Sequence, residues 1–443
     1  MSIKVGLVSL GCPKNQVDAE MMLSRLCDGG YELVDDTLSA DVVVINTCGF
    51  IEDAKKEAID AILEAVQLKE DGIIQKIVVC GCLVQRYGSE ILKEIPEVDG
   101  VAGLGSNGSI AEVVARVMND EQVEELSDGG ELVIEGERIL STPDHWAYLR
   151  IADGCSNCCA YCAIPKIRGP FRSRPMENII REARELAAGG VKELVIIAQD
   201  TTRYGLDLYG ELKLPELLTA LCEIDGIEWI RLLYCYPDRV TDELLDVMAR
   251  EDKILNYMDL PLQHADAGIL RAMNRTGSPE ELLALIEKIR SRLPGVVLRT
   301  TLIAGFPGEG EEEFEVLCKF IDDARFERLG CFAYSREEET PAYDMDGQLS
   351  EDEKAHRAEI VMEQQDSIFA AVQESYIGTV QRCVVEDYDP YTDSYTGRTW
   401  MDAPEIDSII YLTSPYEVAI GTIIDAEITD VEDFNFIGRI KKQ

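Results

Sequence analysis

A short apolar run, a cysteine just past its carboxyl end and then an amphipathic helix pattern occur together three times near the start of this chain, and that repeat leaves few folds open. Residues 3–10 read as a buried strand, with Cys12 following and a helix over Gln16–Leu26. Asp41–Asn46 is the second strand, ending at Thr47-Cys48 and followed by a helix over Glu52–Leu68; Lys76–Cys80 is the third, ending at Gly81-Cys82 and followed by a helix over Arg86–Ile95. Strands alternating with helices imply a flavodoxin-like parallel sheet covered on both faces. Ligands of such sheets bind in the loops beyond the carboxyl ends of the strands. Cys12, Cys48 and Cys82 then share one edge. Three unrelated buried thiols would be the plain alternative, since buried cysteine is common; identical placement in successive units favours a cluster with three protein ligands. Cys80 falls within its strand, facing away from that edge.

A second cysteine pattern lies further on. Cys155, Cys159 and Cys162 make a C-x₃-C-x₂-C triplet on a tight loop. Closed [4Fe–4S] clusters take four thiolates, so three leave one iron open to a substrate or cofactor. A structural zinc site wants four ligands, usually from paired knuckles, and no second knuckle is near. A disulfide fits worse, because Cys158 and Cys159 are adjacent. Cys158 reads as a non-ligand. The spacing, with Tyr161 just before the last cysteine, resembles the radical S-adenosylmethionine (SAM) enzymes. In that superfamily the open iron chelates SAM, and one electron releases a 5′-deoxyadenosyl radical that removes hydrogen from an unactivated carbon.

Gly11-Cys12-Pro13-Lys14-Asn15-Gln16-Val17-Asp18-Ala19-Glu20, Asn46-Thr47-Cys48 and Gly81-Cys82-Leu83-Val84-Gln85-Arg86 together resemble the N-terminal domain of the methylthiotransferases, a branch of the radical SAM superfamily. The resemblance covers nearly the whole chain. It implies that Cys12, Cys48 and Cys82 ligate an auxiliary [4Fe–4S] cluster through which sulfur is delivered. It also implies that Cys155, Cys159 and Cys162 hold the cluster that cleaves SAM, with backbone near Tyr161 and the side chain of Gln199 as SAM contacts. Ala163–Arg174, Gln199–Asp207, Arg231–Pro237 and Gly397–Asp407 are similar to the branch that acts on a protein. Its reaction adds a methylthio group to the β-carbon of an aspartate in small-subunit ribosomal protein S-twelve. The sister branch modifies a tRNA adenosine by the same chemistry and is the nearest alternative; a non-catalytic iron–sulfur or zinc protein is another. An electron donor such as flavodoxin or ferredoxin is implied.

Four segments follow from the patterning. Residues 1–118 form the N-terminal domain, in which 103–108 reads as a turn. Residues 119–143 form an acidic linker with a possible hairpin of Glu131–Ile134 and Arg138–Leu140. Residues 144–374 form the core, where six strands alternating with helices match the partial (β/α)6 barrel typical of radical SAM enzymes, plus a bridging helix over Glu351–Glu374. Residues 375–443 carry five short β-rich stretches, expected to form a small antiparallel OB-like barrel that resembles the TRAM domain. His264 reads as a structural or positioning residue, because radical abstraction needs no acid or base. The glutamate runs 311–313 and 337–339 read as solvated charge, and Cys27, Cys222 and Cys318 as helix-core thiols.

Lys and Arg number 42 against 84 Asp and Glu, a formal net charge of −42. Such a surface repels a phosphate backbone and attracts basic partners; an acidic proteome is the alternative cause. In the C-terminal segment acidic residues also outnumber Lys and Arg, against the composition of an RNA-binding face, so direct tRNA binding is not expected. Gly11, Cys12 and Pro13 stop the first apolar run too early for a signal-peptide core, and no run approaches membrane-span length. A cytoplasmic protein is expected, in which the 14 cysteines serve as metal ligands or small hydrophobes rather than disulfides.

Overall fold

The computed structural model describes residues 2–442. Its first unit runs β1 (Lys4–Ser9), α1 (Pro13–Asp28), β2 (Glu32–Val34), β3 (Val42–Thr47), α2 (Glu52–Glu70), β4 (Lys76–Gly81), α3 (Cys82–Glu94), β5 (Gly100–Ala102), α4 (Ile110–Met118) and β6 (Val123–Glu125). The six strands form one parallel sheet in the order β2-β1-β3-β4-β5-β6, the flavodoxin-like arrangement. Every residue of β3 is buried, as expected of a strand covered on both faces. Met22 and Leu26 of α1 and Val113 and Val117 of α4 pack on one side, and Ile62 of α2 and Ile91 of α3 on the other.

Three features depart from the sequence reading here. Residues 104–109 form a 3₁₀ turn of helix rather than a simple turn, and the sheet takes its last strand, β6, from the stretch read as linker. The hairpin is not formed: 131–134 and 138–140 lie outside any strand. Side chains hold that segment instead. Arg138 pairs with Glu20 at 2.6 Å and Glu182 at 2.9 Å and donates to Tyr148 O, so its anchorage needs no strand partner.

The second unit begins with β7 (Trp146–Arg150), the two-residue β8 (Ala152–Asp153), α5 (Ile164–Ile167) and β9 (Arg172–Ser173), which pairs with β8. It continues through α6 (Met176–Ala188), β10 (Glu193–Ile197), α7 (Leu214–Cys222), β11 (Trp229–Leu232), α8 (Asp242–Arg250) and β12 (Ile254–Asp259). Then come α9 (Ala267–Ala272), α10 (Pro279–Arg292), β13 (Val297–Ala304), α11 (Glu311–Ala324) and β14 (Arg328–Ala333). The strands β7-β10-β11-β12-β13-β14 are neighbours in that order and all parallel, an open six-stranded partial barrel. Alternation along each strand separates two faces: Leu194, Ile196, Leu232 and Leu298 meet the helices, whereas Trp146, Tyr148, Val195, Trp229 and Tyr257 face inward.

The inner face is covered by both flanking units. Val17 and Met21 of α1 pack there from the N-terminal side, and Val384, Met401 and Ala403 from the C-terminal side. The helix α12 (Glu351–Glu374), capped by Ser350 Oγ accepting from Glu353 N at 3.2 Å, leads into the last unit. That unit is a closed barrel of β15 (Val380–Asp389), β16 (Ser394–Thr399), β17 (Ile410–Thr413), β19 (Asn435–Ile440) and β18 (Ile423–Glu432). It is antiparallel at every seam but β17–β19, which is parallel. An odd number of strands cannot alternate direction around a closed ring, so one parallel seam is unavoidable. No helix among the described residues is long and apolar enough to cross a membrane.

Candidate active site

The N-terminal thiols lie where three loops leave the carboxyl edge of the sheet. Cys12 is the N-cap of α1, with extended backbone and no side-chain cap bond. Gly11 before it has φ +91°, and a Cβ there would sit 2.6 Å from Cys48 Cβ, so only glycine lets the two cysteines come this close. Gly81 has φ +95°, and a Cβ on it would meet Thr47 O at 2.5 Å; Cys82 follows directly as the first residue of α3. Asn15 Nδ2 donates to Leu10 O at 2.6 Å, and Asn46 Nδ2 to Asn15 O at 2.8 Å, tying the first loop to the second. Cys80 lies inside β4, buried against Met22 and Asn46.

Burial pushes the Cys82 thiol up to about 12 and also raises Cys48, where the neighbouring Cys12 adds to the effect. Thiolates here need a cation. One protein cation is supplied: Arg168 Nη2 donates toward Cys82 Sγ at 3.7 Å. Among the described residues no three His, Cys, Asp or Glu converge tightly enough to hold a single metal ion; in a cubic cluster each thiolate binds its own iron corner, so the sulfurs stand apart. Soft, buried thiolate donors with a nearby guanidinium fit such a cluster, whose charge offsets their desolvation.

The second thiol set lies on the loop between β8 and α5. Cys155 N donates to Gly169 O at 3.1 Å, Ala160 N to Met273 O at 2.9 Å and Cys162 N to Cys159 O at 3.0 Å, which fixes both ends of the loop. Burial raises Cys155 to about 11 and raises Cys162 as well. Arg275 Nη1 donates toward Cys159 Sγ at 3.7 Å while its guanidinium stacks 4.3 Å from the Tyr236 ring centre. Each thiol set thus has one buried arginine donating to one of its sulfurs. Cys158 is exposed, with φ +52°. Tyr161 lies against Cys159 and Arg275, and burial raises its phenol. The two sets are neighbours: Cys82 packs against Ala163 and Ile167, on the segment that follows Cys162.

Between them lies a group of charges that the sequence reading did not single out. Asp18 of α1, Arg150 of β7, Asp153 of β8 and Arg168 are all essentially without solvent exposure. Arg150 pairs with Asp18 and, at 3.1 Å, with Asp153; Arg168 pairs with Asp18 at 2.8 Å and Asp153 at 3.0 Å. Asp18 and Arg168 fall within motifs already noted, and Arg150 shows as a charge closing the otherwise apolar run Trp146–Leu149. Asp153 Oδ1 also accepts from Gly154 N at 2.6 Å and from Gln199 Nε2 at 3.2 Å. Gln199 Oε1 is buried with no hydrogen-bond partner, and such an orphan acceptor beside the Cys155 loop suits a donor group on a bound cofactor.

Two other residues complete the surroundings. His264 is fully buried, with Nε2 3.2 Å from Glu309 Oε2 and Nδ1 accepting from Asp266 N at 3.0 Å; the contacts are those of a structural residue. Glu337 corrects the sequence reading. Expected in solvent, it is 2% exposed and pairs with Lys55 at 3.1 Å and Arg86 at 2.8 Å, both from the N-terminal unit. A glutamate run can be solvated as a whole yet spend one member on an interface. Cys27 is likewise exposed rather than core.

Comparison with known proteins places these units. The family model described as "Uncharacterized protein family UPF0004" matches residues 4–103, that of the radical SAM superfamily residues 149–321, and that of the TRAM domain residues 377–440. The chain is 46% identical over 437 residues to a ribosomal protein uS12 methylthiotransferase RimO of Lachnoclostridium phytofermentans, covering 98% of this chain and 99% of that one. It is 48% identical over 435 residues to the RimO of Caldanaerobacter subterraneus, with coverage of 98% and 99%. Among solved structures it is similar to the radical SAM methyltransferase TsrM from Kitasatospora setae, with a TM-score of 0.56 and 14% identity, covering 77% of this chain and 75% of that one. At that identity the likeness concerns the fold alone.

Proposed function

The chain belongs to the ribosomal protein uS12 methylthiotransferase (RimO) family, and from that premise we propose that it adds a methylthio group to the β-carbon of an aspartate in that ribosomal protein, using SAM and two [4Fe–4S] clusters. The observation that carries the reading is the contact of Arg168 with both Cys82 and Asp153, the latter bonded to the backbone beside Cys155. One buried network thereby spans the two thiol sets.

Cys12, Cys48 and Cys82 would hold the auxiliary cluster, and Cys155, Cys159 and Cys162 the cluster that works with SAM. When bound, these groups supply the hydrogen-abstracting radical, the methyl group and the sulfur. The chain's own residues do the rest. Arg168 and Arg275 donate to sulfur and stabilise negative charge there. Asp153 holds the amide of Gln199 through its Nε2, leaving Gln199 Oε1 unpartnered beside the Cys155 loop, near Tyr161. Val17 and Met21 of α1 pack with Trp146 and Tyr148 on the inner face of the barrel and keep water out of it.

The net charge of −42 suits a basic ribosomal protein, attracted at long range. It disfavours the tRNA-modifying alternative, which needs phosphate neutralisation. A low-potential donor such as flavodoxin or ferredoxin would reduce the clusters, in the cytoplasm where ribosomes are met. The test is anaerobic: protein reconstituted with iron and sulfide receives reductant, SAM and either uS12 or tRNA, and products are weighed by mass spectrometry. A methylthio increment on the aspartate peptide is expected. The increment on tRNA, or no 5′-deoxyadenosine with either substrate, would overturn the reading.

A further inference from the structure

Lys14 is a buried ammonium in a very acidic protein, and among the described residues no carboxylate pairs with it. Its side chain is only 7% exposed. Among the described residues it forms no ion pair, and its Nζ stands 3.3 Å from the centre of the Tyr234 ring. Asp18 of the same helix is engaged by Arg150 and Arg168, and Asp259, which accepts from Tyr234 N at 2.9 Å, by Arg299 at 3.2 Å. Cation–π contact offsets only part of the desolvation of an ammonium.

The surroundings favour an anion. Lys14 sits in the first turn of α1, which contains no acidic residue and whose N-cap supplies no side-chain acceptor, so the positive helix end and the ammonium act on the same space. Cys12 and Tyr234 beside it are partly exposed, which leaves a way in. Tyr234 is itself held in a left-handed conformation, φ +59°, by its N–H bond to Asp259 and by Thr201 N donating to its carbonyl at 3.0 Å. A bulky residue held there against its preference is a feature of ligand sites.

We propose that Lys14 binds the side-chain carboxylate of the substrate aspartate. The inference rests on the proposed function and goes beyond it by naming the residue that selects the amino acid. The reacting β-carbon is one bond from the carboxyl carbon. A cation fixed two residues from Cys12 therefore sets that carbon beside the thiols proposed to hold the sulfur-delivering cluster, whereas a neutral adenine base offers it no carboxylate.

The test uses the reconstituted holoenzyme and two synthetic peptides of the uS12 target loop, one with the aspartate and one with asparagine in its place. Peptide affinity is read by fluorescence anisotropy, modification by mass spectrometry, and the clusters by iron content and electron paramagnetic resonance. Lys14→Met is expected to weaken the aspartate peptide by about thirtyfold or more, the usual loss when one partner of a buried charge pair is removed. It should leave the asparagine peptide and the cluster signals unchanged, and Lys14→Arg should restore most of the preference. Retained preference in Lys14→Met, or equal loss for both peptides, overturns the proposal. So does an altered cluster signal with preference intact, which would assign the ammonium to the thiolate of Cys12. If the unsubstituted enzyme modifies neither peptide yet binds the aspartate form preferentially through Lys14, the proposed function fails and the carboxylate site stands.

Discussion

Arg168 reaches Cys82 Sγ at 3.7 Å from the same guanidinium that pairs with Asp18 and Asp153. A donor to a cluster sulfur raises the reduction potential by stabilising the reduced state. Loss of that donor should lower the potential of the cluster proposed at Cys82 while that proposed at Cys155 is unmoved. Arg168→Lys keeps a charge between the two aspartates and is the informative variant, read by a redox titration followed by electron paramagnetic resonance. Arg168→Gln leaves both carboxylates under-paired and should also destabilise the fold by about 3–5 kcal/mol. An unchanged potential in Arg168→Lys would mean that the contact does not act on the cluster.

The close approach of Gly11 to Cys48 gives a second prediction. In Gly11→Ala the new methyl has nowhere to go, with Cys48 Cβ 2.6 Å from its position and φ at +91°. The Cys12 loop must move away from Cys48. The reconstituted variant is expected to retain about half the iron, with the signal of the Cys155 set intact and methylthiolation lost. Full iron content would show that Cys12 and Cys48 do not hold a common cluster.

Glu337 ties the loop after β14 to Lys55 and Arg86 across the boundary between the first two units. Arg86 and Glu337 are both nearly inaccessible, at 3% and 2% side-chain exposure, so Glu337→Gln leaves a buried guanidinium without its carboxylate. A loss of about 3–5 kcal/mol is expected, seen as a lower melting temperature and faster proteolysis between the units. The same change at Glu338, in contact with solvent, should be silent within about 0.5 kcal/mol.

What the sequence reveals and hides follows from the range of each interaction. The alternation of apolar strand and amphipathic helix is local, so β1, β3, β4 and the core strands are legible, and with them the shared edge of Cys12, Cys48 and Cys82. The Cys155–Cys162 spacing is local too. The contacts that join the units are not. Glu337 looks like its neighbours Glu338 and Glu339 until the fold brings Arg86 to it, and Asp18 meets Arg150 only because α1 docks on the inner face of the barrel. Arg138 hides likewise. Its segment has hairpin-like patterning, and distant carboxylates rather than local pairing decide its path.

The seam between the core and the C-terminal barrel should open in acid. Glu193 of β10 is buried between Arg231 at 2.7 Å and Arg398 at 2.8 Å, and Arg398 also holds Glu386 at 2.8 Å. Burial opposes ionisation of both carboxyls, but the two arginines at Glu193, and His145 with Arg398 at Glu386, outweigh it and hold each below the ordinary glutamate value of 4.5. A carboxyl depressed in the folded state contributes stability that is fully present above the unfolded value and is lost as pH falls through the folded one. Weakening should therefore begin below about pH 4.5 and grow with further acidification. The chain's three tryptophans report on it, since Trp146 and Trp229 are buried in the cluster the two units share and Trp400 packs against that cluster. A red shift of tryptophan emission is expected below that pH, ahead of the loss of helical circular dichroism. In Glu193→Gln the emission should already be shifted at neutral pH and should vary less with acid; a profile identical to that of the unsubstituted protein would show that the seam does not depend on this ion pair.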